Sequence, residues 1–91
     1  MTTIDILIIE DSRTQAMQLQ FIVEELGYRT VLAQNGMQGL ELLQKGFSPI
    51  VITDWMMPEM DGFQFCQTVR QQNFPGYVYI IILTAKDTKN D

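Results

Sequence analysis

Hydrophobic residues along this chain gather in four short runs, Ile4–Ile9, Tyr28–Ala33, Ile50–Thr53 and Tyr77–Leu83, all rich in β-branched side chains. Near-continuous apolar runs of this length, separated by stretches with helical spacing, predict parallel strands covered on both faces. The last run shows no clean alternation and is expected to be buried on both sides. Between the runs the period changes. A first helix is predicted over about Arg13 to Leu26, with Ser12 and Gln15 as a capping box and Gly27 as its stop. Ala16, Leu19, Ile22, Val23 and Leu26 share one stripe, expected to face the sheet, while Met17 and Phe21 fall roughly opposite. The second helix is expected over about Gly36 to Lys45 behind an Asn35 cap. The third runs over about Gly62 to Gln72, from an Asp61 cap to a Pro75-Gly76 exit turn. The order β-α-β-α-β-α-β, with right-handed crossovers, predicts an α/β fold with a doubly wound parallel sheet of four strands and three helices.

In open parallel sheets ligands bind beyond the carboxyl ends of the strands. Strand one ends in Glu10-Asp11, strand three in Asp54 and strand four in Thr84-Ala85. Three carboxylates and a hydroxyl are therefore expected at one rim. Each has an ordinary reading alone: Asp11 could only cap a helix, and Thr84 could only end a strand. Their convergence is what the ordinary readings leave unexplained. Clustered carboxylates repel, and Arg13 is the one basic residue beside the acidic pair, so a bound cation is the natural partner. An all-oxygen site favours Mg2+, which can neutralise charge on an incoming phosphoryl group.

Composition narrows the field. The chain has 91 residues, 46% of them hydrophobic, enough for one domain with a real core. Net charge is -5, and the six basic residues are scattered, which argues against nucleic-acid binding by this domain. Histidine is absent, excluding a phosphohistidine, a Ser-His-Asp triad and a His-ligated zinc site. The single Cys66, flanked by Phe63, Phe65 and Val69, reads as a small hydrophobe in a helix core and suits a reducing compartment. The apolar run at 77–83 is far short of the ~20 residues that span a bilayer. The start of the chain lacks a signal-peptide pattern, so a soluble, cytoplasmic protein is expected.

The segments Ile8-Ile9-Glu10-Asp11-Ser12, Asp54-Trp55-Met56-Met57-Pro58-Glu59-Met60-Asp61-Gly62 and Leu83-Thr84-Ala85 together resemble the response-regulator receiver domain, the bacterial family to which chemotaxis regulators belong. Aspartate at a strand end, with proline four and glycine eight residues later, is a specific signature. The match spans the whole chain. The resemblance implies a flavodoxin-like receiver fold and two-component signalling. Asp54 would accept a phosphoryl group from a phosphohistidine on a sensor histidine kinase or histidine phosphotransfer protein. Asp11, Asp54 and the backbone carbonyl of Met56 would bind Mg2+ (or Mn2+), with Glu10 acting through a metal-bound water. Thr84 would hydrogen-bond the phosphoryl group as the switch, and Ala85 would leave room for it. Pro58 and Gly62 would shape the loop, and Met56 would also sit where the family tunes dephosphorylation. The first helix would dock the histidine donor, giving the Met17–Phe21 pair a use. Such a domain is not an enzyme beyond accepting its phosphoryl group and slowly losing it.

The resemblance also implies a fourth helix, a fifth strand carrying a lysine and an aromatic switch residue, and a fifth helix. The sequence stops at Asp91, and neither Lys86 nor Lys89 matches that lysine. Residues 1–91 are therefore expected to be a receiver domain incomplete at its C-terminus, either a piece of a longer protein or a short variant completed by a partner. Strand four would then be an open sheet edge. Three rivals remain: a flavodoxin-type FMN protein, a Mg-dependent phosphatase-like enzyme, and a degenerate receiver that only binds partners. The first lacks a glycine- and hydroxyl-rich phosphate loop after strand one, and the second lacks the further aspartate of an Asp-x-Asp motif, since Trp55-Met56 follows Asp54. The 91-residue chain is expected to bind metal yet accept phosphate slowly from acetyl phosphate. Rapid labelling would contradict the second half.

Overall fold

The apolar runs fold as strands and the periodic segments as helices, in the order read from the sequence. The computed structural model describes residues 5–45, 49–54, 60–74 and 76–83. Within them lie β1 (Asp5–Ile9), α1 (Arg13–Glu25), β2 (Arg29–Ala33), α2 (Gly36–Lys45), β3 (Ile50–Asp54), α3 (Gly62–Arg70) and β4 (Tyr79–Leu83). The four strands form one parallel sheet in the order β2-β1-β3-β4. Asp54 is the last residue of β3, one position beyond the expected end of that strand.

Strand alternation divides the core in two. Leu7, Ile9 and Val51 point to the face covered by α2 and α3, where Leu40, Leu43, Phe65 and Val69 complete the larger cluster. Ile6 and Ile8, with Ile50 and Ile52 beside them, meet Leu19 and Val23 of α1 on the other face. Close approach on the first face depends on Gly39. A Cβ there would lie 3.1 Å from Ile9 Cγ1 and 3.4 Å from the Phe65 ring, and closer still to Ile9 Cδ1.

Helix ends follow local chemistry. α1 stops in a Schellman-type turn in which Gly27 takes φ 98° and donates its N–H to Glu24 O at 3.0 Å. Asn35 Oδ1 accepts the Gln38 N–H at 2.8 Å and so caps α2. In α3 the capping box is complete: Gln64 N–H donates to Asp61 Oδ1 at 2.8 Å, and Asp61 N–H donates to Gln64 Oε1 at 3.0 Å.

Three expectations are corrected. The box at α1 is half formed. Ser12 Oγ accepts the Gln15 N–H at 3.4 Å, but the Ser12 N–H goes to Glu10 Oε2 at 3.1 Å, a charged acceptor already at hand. The sheet-facing stripe of α1 is narrower than its apolar pattern. Ala16 and Val23 are buried, Leu19 half-buried, and Ile22 and Leu26 are 57% and 72% exposed. Ile22 and Leu26 lie on one side of the stripe, away from Ala16 and Val23, and no second described helix sits beside α1 to cover them. Likewise β4 is not buried on both faces. Its described pairing is with β3 alone, and Tyr79 and Ile81, which pair with Ile50 and Ile52, stay exposed on the α1 side of the sheet.

Gly39→Ala is expected to lower stability by about 1–3 kcal/mol, because the new methyl drives Ile9 out of a fully packed position. A urea midpoint unchanged from wild type would show that α2 shifts freely.

Candidate functional site

The strand order makes the site. β1 neighbours both β2 and β3, and the helices that follow β1 and β2 cover opposite faces, so the crevice opens at the carboxyl ends of β1 and β3. Ile9 pairs with Thr53, which sets Glu10 beside Asp54 at that edge. The Glu10 N–H donates to Ala33 O at 3.0 Å, carrying the β1–β2 ladder one residue further and holding the start of the loop.

One carboxylate oxygen each from Glu10, Asp11 and Asp54 lies within 4.8 Å of the others. Glu10 and Asp54 are 4% and 2% exposed, and Asp11 is exposed. At an effective dielectric of about 20, each ionised pair at this range repels by about 3–4 kcal/mol. A hard divalent cation is the charge-compensating partner that fits such a donor set: all oxygen, with carboxylates on converging backbone ends. The residues present therefore suit Mg2+ on their own chemistry.

Among the described residues, two clefts flank the acids. One, of about 390 Å3, runs between α1 and β4 past Gln15, Gln18, Leu19, Ile22 and Leu83 to Glu10 and Asp54. The other, of about 500 Å3, leaves Glu10 and Asp11 on the α2 side and is lined by Arg13, Gln34 and Gln38. α1 contributes to the walls of both clefts. An open apolar groove of about 650 Å3 lies further along the same helix, lined by Thr14, Met17, Gln18, Phe21 and Ile22.

Of the residues singled out in the sequence, Glu10, Asp11 and Asp54 come together as expected. Thr84, Ala85, Met56, Pro58 and Trp55 lie outside the described residues. Cys66 is half-buried in α3. Sequence reasoning missed Ile22 as a surface residue, since its place on the apolar stripe pointed inward. It also missed the Glu10–Ser12 bond, for which the adjacent Glu-Asp-Ser was the available signal.

A model of the response regulator receiver domain matches residues 6–91. The transcriptional regulatory protein PhoP of Bacillus subtilis, which governs alkaline phosphatase synthesis, is 33% identical over 88 residues, 94% of this chain and 35% of PhoP. Sensor histidine kinase CheAY of Helicobacter pylori is 34% identical over 88 residues, 94% of this chain and 11% of CheAY. Chemotaxis protein CheY4 of Vibrio cholerae superposes with a TM-score of 0.86 at 28% identity, over 96% of this chain and 72% of that one. The chain thus spans about a third of PhoP and a smaller share of CheAY. It belongs to the response regulator receiver domain family.

Receiver domains are phosphoryl-accepting modules of two-component signalling rather than enzymes in the ordinary sense. They take the group from histidine kinases and bind Mg2+ at an acidic pocket. The phosphatase-like and purely interacting readings are not favoured. Among the described residues no helix is long and apolar enough to cross a membrane.

Millimolar Mg2+ is expected to raise the thermal midpoint of the wild-type chain, since an ion bound only by the folded state stabilises it by about 2.7 kcal/mol at a hundred times its Kd. Asp54→Asn should abolish most of that rise in a calorimetric scan. An equal rise in both proteins would exclude Asp54 from the metal site.

Proposed function

We propose that Asp54 is the phosphoryl acceptor of this domain, with Asp11 and Glu10 completing a Mg2+ site around it. The observation that supports this most is the meeting of the three carboxylates within 4.8 Å at the carboxyl ends of β1 and β3. In the transfer, a carboxylate oxygen of Asp54 bonds to the phosphorus of a phosphohistidine while the phosphorus–nitrogen bond breaks and the imidazole leaves. Mg2+ bound there would neutralise charge on the phosphoryl oxygens. Asp11 and Asp54 would hold it, joined by the backbone carbonyl of Met56, and Glu10 would act through a metal-bound water. Burial keeps bulk water from Asp54, so the carboxylate works by position rather than by a general base. Thr84 hydrogen-bonds the phosphoryl group and carries the switch, and Ala85 leaves space beside it. The resulting acyl phosphate adds about two negative charges at the rim and decays slowly.

The donor is a sensor histidine kinase or a histidine phosphotransfer protein. It docks on α1, where Met17 and Phe21 stand exposed beside Ile22 on an open apolar groove. The net charge of -5 speaks against nucleic acid as a partner of this domain, which works in the cytoplasm. A dimer through β4 is supported by the position of that strand at the end of the described sheet, with Tyr79 and Ile81 exposed.

Asp54→Asn should eliminate hydroxylamine-labile phosphate from a labelled phosphodonor; persistent label would place the acceptor elsewhere. Replacing Met17 and Phe21 together by Gln should slow transfer from the kinase while leaving acetyl phosphate labelling unchanged, and equal kinase rates would remove α1 from the docking surface. Light scattering at high concentration should report a dimer, and a clean monomer would exclude association through β4.

A further inference from the structure

The acidic residue preceding Asp11 has a second contact that metal binding does not require of it. In a complete capping box, as at Asp61 and Gln64, the backbone N–H of the cap is taken by the side chain three residues on. At α1 the Ser12 N–H donates instead to Glu10 Oε2 at 3.1 Å. The same serine accepts the Ala16 N–H on its carbonyl at 2.9 Å, and Glu10 gives its own N–H to Ala33 O at 3.0 Å. Asp11 is exposed, so packing does little to orient it. Its backbone is held from both sides, by the sheet through Glu10 and by the first turn of α1 through Ser12. The Glu10 carboxylate closes that bracket across Asp11.

We propose that Glu10 is a positioning residue for Asp11: by holding the Ser12 N–H, its carboxylate sets the turn from which Asp11 reaches the metal. The inference rests on the proposed role of Asp11 in Mg2+ binding. It adds that the hydrogen-bond acceptor at the end of the Glu10 side chain counts separately from its charge. Glutamine keeps an acceptor at the same reach without charge. Methionine keeps the length and loses both, and an apolar group of similar volume is tolerated at so buried a position.

The test compares Glu10→Gln and Glu10→Met in the 91-residue chain with two readouts: hydrogen exchange at the Ser12 amide without metal, and Mg2+ titration followed by Trp55 fluorescence. The Ser12 amide should remain protected in Glu10→Gln and exchange at least about tenfold faster in Glu10→Met. Mg2+ should bind about tenfold more weakly to the Met variant than to the Gln variant, the range typical of groups that orient a metal ligand. Equal Ser12 exchange in the two variants, or equal Mg2+ affinity, would overturn the proposal. Asp11→Asn provides the separate control. Unchanged Mg2+ affinity in that variant would remove the metal role of Asp11 and this inference with it, a failure distinguishable because the Gln–Met difference in Ser12 exchange would persist.

Discussion

Mutual repulsion among Glu10, Asp11 and Asp54 is the constraint around which this domain is organised. Three carboxylate oxygens within 4.8 Å, two of them on nearly inaccessible side chains, are a standing electrostatic cost to the folded chain. Hydrophobic packing holds the cluster in place. β1 and β3 are locked side by side through Ile6, Ile8, Val51 and Ile52, and their register leaves the acidic residues no separate exits. A site assembled in this way favours a cation, because each added charge changes the local balance by several kcal/mol, a sizeable share of the net stability of a small domain.

α1 links the site to the surface. Ala16, Leu19 and Val23 fasten it to the sheet, its first turn is tied to Glu10, and its outer side carries the groove of Met17, Phe21 and Ile22. A change at the acids therefore acts on the same rigid element that presents apolar surface to a partner. β4 adds a second open surface, since Tyr79 and Ile81 lie on the α1 side of the sheet but stay exposed. One cleft runs from Ile22 of α1 and Leu83 of β4 to Glu10 and Asp54.

The sequence alone determined the element order, the parallel sheet and the strand ends at which Glu10, Asp11 and Asp54 stand. Period and turn chemistry are local, and Gly27, Asn35 and Asp61 act within their own turns. Other features depended on what lies beside each element in space. The apolar stripe of α1 included Ile22 and Leu26, yet hydrophobicity states a preference for burial and cannot supply the neighbour that would provide it. Runs of isoleucine in β4 looked doubly buried for the same reason. The partner of the Ser12 N–H turned on a competition between Gln15 and Glu10, which the backbone path after β1 resolved in favour of the carboxylate. Residue type decided which groups can bond or repel. The tertiary structure decided which of them meet, because strand order and helix placement are set by the packing of the whole chain and not by any one segment.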